Sequence, residues 1–201
     1  MAEAAGASDL HLFRFLDYPA VYTATVVIAE LVGITLVVWS VIRRGGSISF
    51  KTPILFAVGF IFQLTLGVTG VVLANAARDV ALHSTYYVVV HFHYVLSLGA
   101  VFLIFAGFYA WFDRISGRQF PEWAGQLHFW TTFIGVNLTF VPMHFLGLVG
   151  MPRRYVDYPP AFDGWNMVAS YGSYIADGST LFFVAMLLYV LMTGRKVADE
   201  P

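Results

Sequence analysis

The chain has 201 residues, of which 59% are hydrophobic and 11% charged; soluble domains carry about 25% charged residues, so this composition excludes one. The formal net charge of -1 gives no basic footprint for nucleic acid. Cysteine is absent, which excludes a disulfide framework and thiolate metal sites and leaves six histidines, besides methionine, as the soft ligands.

Residues 1–18 are mixed in character, with Glu3, Asp9, His11, Arg14 and Asp17. They lack the basic-then-apolar order of a secretory signal and read as a polar N-terminal tail. Residues 19–201 then read as one membrane domain. A helix needs about 20 apolar residues to cross a bilayer, and five stretches meet that length: Pro19–Ile42, Pro53–Asn75, Tyr86–Phe112, Gly125–Val149 and Val168–Thr193. A membrane barrel would alternate apolar and polar residues. Runs such as Val101-Phe102-Leu103-Ile104-Phe105 do not, so the expected fold is an all-α, five-helix bundle. Basic residues set the orientation. One face collects seven (Arg43, Arg44, Lys51, Arg114, Arg118, Arg195, Lys196) and the other four (Arg14, Arg78, Arg153, Arg154). The N-terminus is therefore expected outside and the C-terminus inside.

The chemistry concentrates in Val90-His91-Phe92-His93-Tyr94, near the outer end of the third stretch. Histidine in hydrocarbon is costly without a partner. Two positions on a helix are about 200° apart, so His91 and His93 face nearly opposite sides and cannot share one small ion. They can serve two neighbouring sites, and haem iron takes an axial imidazole. Interhelical hydrogen bonding is the alternative. Zinc fits less well, because it wants several ligands on one point.

The run Thr85-Tyr86-Tyr87-Val88-Val89-Val90-His91-Phe92-His93-Tyr94-Val95-Leu96-Ser97 resembles the signature of subunit I of haem-copper cytochrome c oxidases. Gly59-Phe60-Ile61-Phe62, Gly70-Val71-Val72-Leu73-Ala74-Asn75, His144-Phe145-Leu146-Gly147-Leu148 and Met151-Pro152-Arg153-Arg154-Tyr155 resemble it too. The likeness runs from about Tyr22 to the C-terminus and corresponds to the last five transmembrane helices of that family. Tyr94-Val95-Leu96-Ser97 and Pro152-Arg153-Arg154-Tyr155 favour the cytochrome c branch over the quinol branch. The resemblance implies two haems, of the a type, with His91 on the high-spin iron and His93 on the low-spin iron. Phe92 between them reads as ordinary packing.

Arg153 and Arg154 follow the fourth stretch on the same side as the two histidines. Adjacent arginines at a membrane rim can simply be solvated or meet lipid phosphate. Guanidinium also binds carboxylate well, and the resemblance places this pair at the haem propionates. It further implies a magnesium ion near His83. There Ser84 stands where the family carries aspartate, and a neutral oxygen is a weak ligand for a hard cation. His128 and His144 read as structural, His144 with a possible support role beside the propionates.

The family's first seven helices supply the copper ligands, the second axial histidine of the low-spin haem and one proton-channel entrance. The 201 residues have no counterpart of them, and the chain alone is not expected to reduce oxygen. Copper would come only through a partner segment. In the first stretch Val32 and Thr35 occupy the positions of the family's proton-channel threonine and lysine, so that channel reads as closed. Glu30 and Asp177 lie deep in their stretches as candidate proton-path groups or as packing anomalies.

Four functional readings stand. The leading one is the haem-binding part of a split or truncated respiratory oxidase subunit I. Its partners would be the chain with the missing helices, subunits II and III, and cytochrome c as donor, in a bacterial plasma membrane or mitochondrial inner membrane. The second is a non-catalytic paralogue acting in haem binding, assembly or as an accessory subunit. The third is a truncation of a full subunit. The fourth is an unrelated five-helix transporter, which Glu30 and Asp177 would suit.

Overall fold

The computed structural model describes residues 49–197. The expected polar tail, the first stretch, Glu30, Val32 and Thr35 lie outside the described residues. Four long apolar helices follow, each long and apolar enough to cross a membrane. They are α1 (Thr52–Leu73), α3 (Tyr86–Ser116), α4 (Glu122–Leu148) and α5 (Asp163–Thr193). A short helix, α2 (Ala76–Leu82), joins α1 to α3. The α5 helix begins five residues before the apolar stretch expected from Val168, because Asp163 occupies its first turn and suits the positive end of the helix dipole.

The helix starts have identifiable causes. Pro53 sits in the first turn of α1, where its missing N–H costs nothing. No side chain of α1 itself caps that turn. Glu122 of α4 does so instead: one of its carboxylate oxygens accepts from the Thr52 backbone N–H at 2.6 Å and from the Thr52 hydroxyl at 2.9 Å. At α3 the Thr85 hydroxyl accepts from the Tyr87 N–H at 3.2 Å and donates to the Leu82 carbonyl at 2.7 Å. Gly117 ends α3 in the left-handed region at φ 66°.

Neither α1 nor α4 is a uniform helix. The α1 ladder tightens to a 3-10 turn over Gly67–Thr69, and α4 carries Pro142 inside it. The α3 helix widens to a π turn over His93–Leu98, and such turns gather at functional positions.

Packing is aromatic between α1, α3 and α4. Phe56 is fully buried and meets Phe102, Tyr109, His128 and Phe129 with ring centroids 5.1–5.6 Å apart. The buried His128 ring is held by the Tyr109 hydroxyl, 2.9 Å from its Nδ1. Between α4 and α5 the contact is close rather than bulky. A Cβ on Gly135 would stand 2.7 Å from the Ala176 nitrogen, and one on Gly172 would stand 2.6 Å from the Leu138 carbonyl carbon. Small residues let membrane helices approach like this, and hydroxyls add hydrogen bonds across the seam. Ser179 does so with Thr131 at 2.6 Å, Thr132 at 2.8 Å and the His128 carbonyl at 3.1 Å.

Replacing Gly172 with Leu is expected to separate α4 from α5 and lower stability by about 1–3 kcal/mol. Ser179→Ala should cost less, about 1 kcal/mol. Thermal unfolding of the membrane-extracted assembly checks both.

Candidate functional site

Position in α3 decides where each imidazole goes. His91 lies in the last regular turn, Tyr86–Phe92, and His93 opens the π turn. The His91 ring turns toward α1. Its Nδ1 stands 3.4 Å from the Thr69 hydroxyl, and its Nε2 lies 2.8 Å from where a Gly70 Cβ would be. Any side chain at Gly70 would therefore displace the ring. The His93 ring turns toward α4 and stacks on Phe140, centroids 4.7 Å apart at 24°. The two rings diverge, one against each neighbouring helix. Phe92 lies beside His93 at 4.3 Å and is 37% exposed.

The His93 ring has a defined tautomer. Its Nδ1 lies 2.6 Å from the Val89 carbonyl one turn back. A carbonyl only accepts, so Nδ1 carries the proton and Nε2 keeps a free lone pair. Metal-ligating histidines are held in this way, with the second nitrogen donating to a carbonyl that fixes the ring.

The arginines reach the same place through a loop clamp. Thr85 and Pro152 form an antiparallel bridge. The Tyr86 N–H donates to the Met151 carbonyl at 3.0 Å, and the Arg153 N–H donates to the Ser84 carbonyl at 2.9 Å. The segment after α4 is thus tied to the start of α3. Gly150 makes the turn into it at φ 86°, and Arg154 takes φ 66°, a backbone conformation uncommon for a non-glycine residue. A cavity of about 420 Å³ is the result, lined by His93, Phe92, Phe140, Met143, Arg153 and Arg154. It joins a ring nitrogen with a free lone pair to two cations at the membrane rim.

The other candidates lie apart from that cavity. His83 and Ser84 are exposed on the turn before α3, with Asp79 half-buried one turn earlier. Among the described residues no three His, Asp or Glu side chains converge as a metal site. His144 packs against Tyr87 and Tyr94, each with centroids 5.6 Å away, and its Nε2 has no partner among the described residues. Asp177 is exposed on the outward side of α5. The sequence reading passed over Thr69, which touches His91, and the spacing role of Gly70. Their signal lay in the Thr69-Gly70 pair one helix away, which no spacing within α3 reveals.

Two imidazoles on opposite faces of one membrane span, one of them sharing a cavity with an arginine pair, belong to a multi-pass helical membrane protein. Residues 18–175 match the family described as Cytochrome C and Quinol oxidase polypeptide I, and the chain belongs to that family. It is similar to "Cytochrome c oxidase subunit 1" of Cereibacter sphaeroides, 57% identical over 175 residues, which are 87% of this chain and 31% of that protein. The chain thus spans about a third of the length of the curated relative it matches.

Gly70→Val is expected to push the His91 ring away from Thr69 and leave His93 in place. Nitrogen NMR of labelled histidine should then show one changed imidazole and an unchanged His93 signal.

Proposed function

We propose that this chain is the haem-binding part of a respiratory cytochrome c oxidase subunit I, with the copper ligands supplied by polypeptide outside these 201 residues. The observation that supports it is the divergence of His91 and His93, with His93 sharing one cavity with Arg153 and Arg154. His91 would hold the high-spin haem and His93 the low-spin haem, both of the a type. Arg153 and Arg154 would neutralise the propionates. Haem iron at these positions supplies one-electron transfer and, beside copper, the reduction of oxygen.

The chain's own residues do the positioning. Val89 fixes the His93 tautomer, and Phe140 holds the ring plane. Thr69 and Gly70 give His91 its direction and its room. The bridge between Thr85 and Pro152 ties the arginine segment to the start of the helix that carries the histidines. In this reading the N-terminus faces outside and the C-terminus inside. Electrons arrive from cytochrome c through a copper-bearing subunit II, with subunit III as a further partner. The membrane is a bacterial plasma membrane or a mitochondrial inner membrane.

A second reading is a non-catalytic paralogue that keeps haem binding and serves in assembly or as an accessory subunit. One observation favours it: Ser84 follows the exposed His83 where the resemblance leads one to expect aspartate, and serine offers a hard cation only a neutral oxygen. Oxygen consumption by the native assembly separates the two readings.

In that assembly His91→Ala is expected to remove the high-spin haem signal alone and His93→Ala the low-spin signal alone, read by optical and electron paramagnetic spectra. Survival of both signals in the double variant would defeat the proposal. Arg153→Ala and Arg154→Ala should each weaken haem retention by about 1.5–3 kcal/mol, the worth of a charged hydrogen bond. Haem loss to an apo-globin acceptor measures it.

A further inference from the structure

The outward face of α5 carries a carboxylate at mid-membrane. Asp177 lies fourteen residues after Asp163 and sixteen before Thr193. At 1.5 Å per residue that is about 20 Å from either end of the helix. The opposite face, through Ala169, Gly172, Ser179 and Val190, is buried against the bundle. Around Asp177 the surface is open: Tyr174 is 69% exposed, Leu181 is 72% exposed, and a Cβ on Gly178 would meet nothing within 4 Å.

A carboxylate at this depth is costly unless paired, and among the described residues no side chain pairs with it. The nearby hydroxyls are engaged within the bundle: Ser173 with the Ser170 carbonyl, Thr180 with the Ala176 carbonyl and Ser179 with the His128 carbonyl. His128 is buried on the bundle side of α5, stacked on Phe183 with its Nδ1 held by Tyr109, and the other membrane histidines belong to the α3–α4 region. None of the eleven Lys and Arg residues falls inside any of the five apolar stretches. A second copy of this chain would therefore bring no cation to mid-depth either.

We infer that the α5 face formed by Ser170, Tyr174, Asp177, Gly178 and Leu181 docks a transmembrane helix from outside these 201 residues that carries a lysine or arginine at mid-membrane. The cation neutralises Asp177, and Gly178 lets the two backbones come close. The inference does not depend on haem ligation by His91 or His93, because the face points away from both.

The chain has no cysteine, so Gly178→Cys gives a single site for a nitroxide label in the intact native assembly. The label is expected to be immobilised and several-fold less accessible to oxygen than the same label on a lipid-facing single-span peptide. Asp177→Leu should raise that accessibility to the peptide's level while haem content, the check on folding, stays unchanged. A photo-crosslinker at Tyr174 should capture an apolar segment containing a Lys or Arg, and changing that cation to Leu should restore docking to Asp177→Leu. The proposal is overturned by a label as oxygen-accessible as the peptide control, by no response to Asp177→Leu, or by capture of a second copy or of a segment without a basic residue.

Discussion

Inside a bilayer no water is at hand to satisfy a donor or an acceptor, and in this chain that shortage decides where polar side chains sit. The buried imidazole of His128 takes the Tyr109 hydroxyl. Ser179 fastens two threonines and a carbonyl across the α4–α5 seam. His93 spends its one N–H on its own helix, at Val89, and that choice leaves the other nitrogen free. A ligand nitrogen in hydrocarbon is made by satisfying its twin.

The same scarcity explains the outer rim. A loop that returned alone from α4 would expose its backbone at the membrane surface. Instead Ser84 and Tyr86 pair with Arg153 and Met151, so two connections share their hydrogen bonds. The two arginines are consequently positioned by the helix that carries the histidines, although they follow a different one. The direction of the imidazoles and the position of the arginine pair are thereby mechanically joined.

Much of this was legible in the sequence, and the reasons differ by feature. The spans α1, α3, α4 and α5 were readable from apolar length, because hydrocarbon thickness imposes it. The divergence of His91 and His93 followed from helical rotation, and it holds because His91 precedes the π turn. The early start of α5 was not legible, because Asp163, Trp165 and Asn166 lie at the interface, where apolarity no longer marks the helix. Nor was the contact of Thr69 and Gly70 with His91, since it depends on how two helices face each other. The clamp between Ser84 and Arg153 was hidden for the same reason: its bonds come from backbone groups that every residue carries.

Glu122, on the neighbouring α4, closes the first turn of α1 from seventy residues later in the chain. During synthesis, the second apolar stretch therefore enters the lipid with its first turn unfinished. It becomes complete only when α4 has emerged and swung its carboxylate into place. Insertion order and order of completion thus run differently.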